Sequence, residues 1–255
     1  MPQNLAVINK KEGETPLEAL EHFRKKQKIS LDVPITYAGR LDPMAKGLLI
    51  LLLGQKTKEK EKYLKLEKEY QFEVLFGFST DTYDVLGKVT KIQEINLTTK
   101  DLKEKIEKIL GSFLGKSIQK YPIYSSRTVK GKPLFSYARK GEKVEIPTKE
   151  IFIKKINLKK IQKISKTALR KNVCTRIHKV SGDFRQAEIL DVWRKSINQN
   201  KSKYYLKASF FVQISSGGYV RSLAKELGDK INIPSLAFSI KRTKIGKWCN
   251  VDHVV

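Results

Sequence analysis

Ile35-Thr36-Tyr37-Ala38-Gly39-Arg40-Leu41-Asp42-Pro43-Met44-Ala45-Lys46-Gly47, running on into the apolar stretch Leu48 to Leu53 and then Gly54, decides how this 255-residue chain is read. One carboxylate, Asp42, stands between Leu41 and Pro43 on a segment bracketed by Gly39 and Gly47. A chain that places a lone acid directly before a wholly apolar run holds that acid at the rim of a buried core. Pro43 has no backbone donor and pushes the residue before it away from helical dihedrals, so Asp42 is expected on a turn or an extended loop. An isolated Asp-Pro pair makes a turn and nothing more. The neighbouring residues and the rest of the chain change that reading here.

The length suits one large domain or two small ones with a sizeable core, and 40% hydrophobic residues make a globular composition. Lys and Arg number 52 against 26 for Asp and Glu, a net charge of +26. An excess of that size implies a polyanionic partner, and nucleic acid is the obvious one, since every phosphate contact releases condensed counterions. Compositional drift towards lysine is the competing cause, but drift would raise Glu alongside Lys. The longest apolar run, Leu48 to Leu53, is far short of the ~20 residues that span a bilayer. Met1-Pro2-Gln3-Asn4 opens without the basic and apolar pattern of a signal peptide. Cys174 and Cys249 lie far apart, and His22, His178 and His253 are scattered singly. These features lead to the expectation of a cytoplasmic protein with no structural metal.

Along the chain, Leu5 to Ile8 reads as a strand. Thr15-Pro16-Leu17-Glu18 is a capping box opening a helix to about Lys26, with Leu17, Leu20 and Phe23 inward. Gln55 to Lys68 reads as a solvated helix. Tyr70, Phe72, Val74 and Phe76 alternate as one face of a strand. In Ser79 to Val89 the Asp, Thr and Gly residues are turn formers, so Asp81 and Asp84 read as capping their own hairpin loop rather than as a metal or acid–base pair. Thr98 to Leu110 is an amphipathic helix with Leu102, Ile106, Ile109 and Leu110 inward, and a loop is expected from Gly111 to Gln119. Ile151 to Leu158 reads as a strand. Lys159 to Lys203 reads as an inserted basic hairpin with a strand over 184–193, either touching RNA or decorating the surface. Leu206 to Ile214 alternates as a strand; Gly217 and Gly218 then turn the chain into a helix, leaving Tyr219 and Arg221 in its first turn. An arginine there is disfavoured by the macrodipole, so a carboxylate partner is expected. Strands at 5–8, 70–76, 151–158, 184–193 and 206–214 without regular βαβ alternation make an α+β chain.

Four segments carry a resemblance. Gly39-Arg40-Leu41-Asp42-Pro43-Met44-Ala45-Lys46-Gly47-Leu48-Leu49 is similar to the signature of pseudouridine synthases. Lys68-Glu69-Tyr70 with Thr80-Asp81-Thr82-Tyr83-Asp84-Val85-Leu86-Gly87 follows at the spacing of the TruB branch. Tyr121 to Glu142 resembles a loop and helix found in that branch and absent from the rRNA-modifying relatives. Ser215 to Gly228, with Ile240-Lys241-Arg242-Thr243, is similar to its closing motifs. Two departures stand out: Tyr37 replaces the histidine usual in bacterial members, and Gly39-Arg40-Leu41-Asp42 also looks like the rRNA-modifying motif.

The resemblance implies the pseudouridine synthase fold, an α+β arrangement with a bent, mixed, mostly antiparallel sheet, flanking helices and a central cleft. It implies a tRNA pseudouridine synthase acting on the T-loop uridine conventionally numbered 55. The alternatives are the same chemistry on rRNA or another RNA, and a non-catalytic RNA-binding or tRNA-folding protein. Asp42 would be the nucleophile or the base acting at the ribose, kept ionised by Arg221. Tyr70 and Ile240 would sandwich the flipped base, with Tyr219 and Tyr37 completing its pocket. Arg127, Lys130, Lys132, Tyr137 and Arg139 would meet the RNA, since basic and aromatic side chains on one loop suit phosphates and splayed bases. No cofactor and no metal are implied, and the partner is the tRNA T-arm, bound by a monomer. The expected organisation is a single catalytic domain over 1–255, without the small C-terminal RNA-binding domain that bacterial members carry.

Overall fold

The structure, a computed structural model, describes residues 4–249; His253 and Met1 to Gln3 lie outside them. Strand β1 (Leu5–Lys10) leads into helix α1 (Pro16–Lys26), whose capping box forms as expected: Thr15 accepts from the Glu18 backbone and Glu18 from that of Thr15. Ala19, Leu20 and Phe23 face inward, but Leu17 is 59% exposed. The helix's buried stripe runs through 16, 19, 20 and 23, which turns Leu17 away from the core and towards a cleft. Strands β2 (Ile35–Ala38) and β3 (Ala45–Leu53) pair antiparallel and carry the Asp42 loop between them. The helix expected over 55–68 is a 3-10 turn, Gly54–Glu59, followed by the short helix α2 (Lys60–Leu64).

Strand β4 (Lys68–Phe76) alternates as read, and β5 (Phe78–Thr80) with β6 (Val89–Ile92) makes the hairpin around Asp81 and Asp84. Helix α3 (Thr99–Leu110) starts at a second capping box, on Thr98 and Asp101. The expected loop after it contains strand β7 (Gly115–Lys120). Only Gln119 of that strand is buried, so no apolar alternation announces it; backbone pairing alone makes it a strand. The two-residue strands β8 (Thr128–Val129) and β9 (Lys132–Pro133) form a small hairpin ahead of helix α4 (Leu134–Lys140), and β10 (Thr148–Ser165) is an 18-residue strand.

The inserted hairpin expected over 159–203 is a pair of helices instead, α5 (Lys166–Ile177) and α6 (Gln186–Gln199). The strand expected at 184–193 fails for a reason visible in its burial. Ile189, Leu190, Trp193 and Ile197 are buried at a spacing of three to four, a helical stripe, and the β-branched and aromatic residues that suggested a strand fill its inner face. Strand β11 (Tyr204–Ile214), helix α7 (Val220–Lys230), strand β12 (Ser235–Ile245) and the short β13 (Trp248–Cys249) complete the described chain.

The main sheet runs β1-β3-β12-β4-β11-β10-β7, with β2 added to β3 and β13 to β12. Every pairing in it is antiparallel except β12 with β3. Tyr70, Phe72, Val74 and Phe76 on one face of β4 pack with Leu102 and Ile106 of α3 and Leu223 and Leu227 of α7. Leu75 on the other face joins the α5–α6 pair through Leu169, Val173, Ile189 and Trp193. The sheet thus has a helix pair on each face, and the Asp42 loop leaves it where β3 meets β12. Gly47 is required at that junction: its φ is +110°, and a Cβ there would stand 2.2 Å from the Arg242 carbonyl oxygen.

Candidate active site

The loop carrying Asp42 is fixed from both sides by backbone contacts. Ala45 N–H donates to the Asp42 carbonyl at 3.0 Å and Gly13 N–H to that of Pro43 at 2.9 Å. Arg242, wholly buried, donates from Nε to the Leu48 carbonyl at 2.8 Å and from Nη2 to that of Gly39 at 2.9 Å. Lys10 reaches the same loop and the Glu14 carbonyl, and burial pushes its ammonium pKa down to about 8. These ties leave the Asp42 side chain 30% exposed while the residues around it are packed.

Arg221 enters from the first turn of α7, where Gly217, at φ +83°, has swung the chain out of β11. Its guanidinium meets Asp42 as a fork: Nε to Oδ2 at 2.7 Å and Nη2 to Oδ1 at 2.9 Å. The remaining donors go to backbone, Nη1 to the Thr82 carbonyl at 2.7 Å and Nη2 to that of Tyr124 at 3.2 Å. Burial would lower this arginine's pKa, but Asp42 and Asp84 more than compensate and hold it above its ordinary value. A buried charge held in this way is permanently ionised, and its bidentate geometry fixes the carboxylate plane.

Asp84 is the residue whose second role the sequence did not show. It caps its turn as expected, accepting from Thr82 Oγ1 at 2.7 Å and Leu86 N–H at 2.9 Å. Its other oxygen lies 3.9 Å from Arg221 Nε, so Arg221 sits between two carboxylates. Burial pushes the Asp84 pKa up to about 6, with Arg221 opposing and Asp42 adding to the rise. Asp81 is a turn residue too, accepting from Lys88 N–H at 2.9 Å. Among the described residues no cluster of His, Cys, Asp and Glu has the makings of a metal site.

Two cavities meet at Asp42. One, of about 610 Å³, is lined by Tyr70 of β4, Ile240 of β12, Tyr219, Tyr121 and Arg127. Tyr219 is held by Gln119, which accepts from its N–H at 2.8 Å and donates to its carbonyl at 3.2 Å. Tyr121 meets the Tyr219 ring edge-on at 5.5 Å, and Arg127 lies over Tyr121 at 5.4 Å. Burial, with Asp42 nearby, pushes the Tyr219 phenol pKa up to about 12, so it stays a neutral donor. The other cavity, of about 440 Å³, is lined by Thr82, Asp84, Tyr124, Phe184, Arg185 and Arg139, with Tyr37, Arg40 and Leu17 at its N-terminal side. Arg40 donates to the Tyr37 hydroxyl at 2.9 Å.

The structure therefore brings together Asp42, Arg221, Tyr70, Tyr219, Ile240 and Arg127, with Tyr37 and Arg139 in the adjoining cavity. It does not bring in the rest of the basic loop. Lys130 and Tyr137 line a separate recess, where the Tyr137 hydroxyl donates to the Val129 carbonyl at 3.0 Å and secures the β8–β9 hairpin; Lys132 is exposed on that hairpin. Tyr124 and Arg185 are wall residues, and Gln119 the support behind Tyr219, that sequence reasoning missed. Gln119 stands in a segment without apolar alternation and Arg185 in one whose branched and aromatic residues suggest a strand; Tyr124 stands beside basic residues that carry the stronger signal.

The sequence profile described as TruB family pseudouridylate synthase (N terminal domain) matches residues 25–182, which include Asp42 and Tyr70 but not Arg221. The tRNA pseudouridine synthase B of Aquifex aeolicus is 32% identical over 94% of this chain and 67% of its own length. That of Lactobacillus acidophilus is 33% identical over 95% of this chain and 68% of its own. That of Malacoplasma penetrans is 31% identical over 84% and 74% respectively. Among solved structures, one described as a Cbf5-Nop10-Gar1 complex superposes with a TM-score of 0.59 at 16% identity, covering 98% of this chain and 51% of that one. One described as an H/ACA RNP bound to a substrate RNA containing 2'-deoxyuridine gives 0.56 at 16% identity, covering 98% and 50%. These likenesses show the fold, and the chain spans about half the length of the solved chains. By the profile match and the identities to its curated relatives, the chain belongs to the TruB family of pseudouridylate synthases.

Proposed function

We propose that this chain isomerises uridine to pseudouridine in tRNA, at the T-loop position conventionally numbered 55, binding the T-arm as a monomer. One observation carries the proposal: an acid held by a buried bidentate arginine and facing a cavity walled by Tyr70, Tyr219 and Ile240. Isomerisation breaks the N-glycosidic bond, turns the uracil and rejoins it through carbon, and a single ionised carboxylate is the reactive group required. Asp42 supplies it as nucleophile or as base at the ribose. Arg221 keeps that carboxylate charged out of bulk water, where a cation offsets its desolvation. Tyr70 and Ile240 pack the extruded base, and Tyr219 closes the pocket as a neutral wall. Taking the base out of its stack costs roughly a few kcal/mol, which contacts to the RNA backbone offset. The net charge of +26 favours that backbone binding over the whole surface, and no helix of the described residues is long and apolar enough to cross a membrane.

Incubation with tRNA carrying 5-tritiated uridine tests the proposal. The wild-type chain is expected to release tritium, with a single pseudouridine appearing in the T-loop by mass spectrometry after carbodiimide derivatisation. Asp42→Ala is expected to lower release by at least about a thousandfold. Release by the variant at the wild-type rate would remove Asp42 from its role.

A further inference from the structure

The α5–α6 pair and the connection between its helices touch three of the segments that surround Asp42. On the N-terminal side, Arg176 binds Glu12 as a fork, Nε to Oε1 at 2.8 Å and Nη2 to Oε2 at 2.9 Å. Ser181 donates to Glu18, and Gly13 packs so closely on Lys179 that a Cβ would stand 2.7 Å from its carbonyl oxygen. At the Asp84 turn, the buried Trp193 donates from Nε1 to the Val85 carbonyl at 3.1 Å. At the third segment, Arg139 of α4 donates to the Asp183 carbonyl at 2.6 Å. Decoration of a surface would not need anchors on three separate segments.

Arg185 stands where these anchors converge. It is the N-cap of α6, at φ 63° and ψ 29°, a left-handed conformation that costs a non-glycine residue free energy and persists only where its surroundings over-determine it. Its Nη1 donates to Asp81 Oδ2 at 2.8 Å and to the Tyr124 hydroxyl at 2.7 Å, and its guanidinium lies 4.3 Å from the centre of the Tyr124 ring. Asp81 neighbours Thr82, and the Thr82 and Tyr124 carbonyls are the two backbone acceptors of Arg221. Arg185 therefore clamps together the two loops that aim the guanidinium holding Asp42. Its own side chain is 17% exposed, with both named acceptors satisfied, so it is placed to tie loops together.

We propose that Arg185 is a positioning residue for the isomerisation, acting through Tyr124 and the Asp81–Thr82 turn on the Arg221–Asp42 pair, and that the start of α6 is part of the active-site wall. The inference rests on the isomerase reading above. A phosphate contact is the competing role, since residues 159–203 hold thirteen Lys and Arg against three acids.

Single-turnover tritium release from unmodified tRNA at saturating enzyme, measured beside tRNA affinity on the full chain, separates the two. Arg185→Ala is expected to slow the saturated rate by roughly tenfold to a hundredfold, as displaced reacting groups do, while affinity changes by less than about twofold. Arg185→Lys is expected to recover only a small part, because an ammonium cannot stack flat on Tyr124 while bridging the two acceptors. Tyr124→Phe should slow the reaction less than Arg185→Ala does, and the double variant should be no slower than Arg185→Ala alone, since both act along one route. An unchanged saturated rate with weakened affinity, full rescue by lysine, or additive losses would each overturn the proposal. If Arg185→Ala does not fold, Arg185→Lys and Tyr124→Phe decide by the same split of rate from affinity. A wild-type chain that makes no pseudouridine in tRNA refutes the isomerase reading instead, and the wild-type control shows which has failed.

Discussion

The two cavities that meet at Asp42 are built in opposite ways. The one holding Tyr70, Ile240 and Tyr219 takes its main walls from β4, β12 and the start of α7, elements locked by sheet pairing and by the packing of α7 and α3 on the sheet, with Tyr121 and Arg127 added from the loop after β7. The one holding Asp84, Tyr124 and Arg185 takes its walls from loops and from a helix terminus. A strand gives its side chains a fixed position through the backbone ladder, so the first wall needs few side-chain ties. Loops have no ladder, and the second wall is held by side chains bonded to backbone: Arg221 to Thr82 and Tyr124, Trp193 to Val85, Arg139 to Asp183. Arg221 belongs to both, rooted on the ladder side and reaching across to the loops.

Because Arg221 spans both sides, removing it harms more than any change confined to one of them. Arg221→Met leaves Asp42 and Asp84 facing each other with no cation, and two carbonyls without donors. A loss of about 3–5 kcal/mol in denaturant unfolding is expected, together with loss of measurable turnover. A variant as stable as wild type would break the claim that this side chain knits the two walls. Trp193→Phe comes next: Val85 loses its donor, and about 1–3 kcal/mol should go with it. Hydrogen exchange should then quicken in α6 and in the Asp84 turn while the β4 and β12 amides keep their protection. Uniform loss of protection would mean that the loop wall and the sheet wall open as one unit.

The smallest effect sharpens the electrostatics. Asp84 has a folded pKa of about 6 against an ordinary 3.8, so the folded chain holds a proton that the unfolded chain has lost between those values. Its contribution favours folding below about pH 4 and is lost as pH rises through about 6. Asp84→Asn keeps the shape without the titration. The difference in Tm between about pH 4 and pH 7 should change by a few degrees, with the variant gaining relative to wild type at the higher pH. An identical pH dependence in the two proteins would mean that Arg221 already neutralises Asp84 in full.

Of the ladder side, β4 and the turn into α7 were legible in the residues themselves, whereas β3 and β12 were not among the strands read there. The Tyr70 to Phe76 alternation, the Thr15 cap, the Asp-Pro loop before an apolar run and the glycine turn ahead of Arg221 are local signals, each caused within a few residues of where it is read. The need for a carboxylate beside Arg221 was legible too, because an arginine in a first helical turn asks for one. Tertiary structure alone decided the loop side. β7 has no apolar period and becomes a strand only by pairing with β10, Leu17 faces a cleft formed by distant residues, and α6 was masked by the aromatic and branched residues that fill its inner face. Asp84 could be read as a turn cap from its neighbours, but its place opposite Asp42 depends on a guanidinium 137 positions away in the chain. Contacts of that span cost loop-closure entropy that no local pattern records, so they become visible only once the chain has folded.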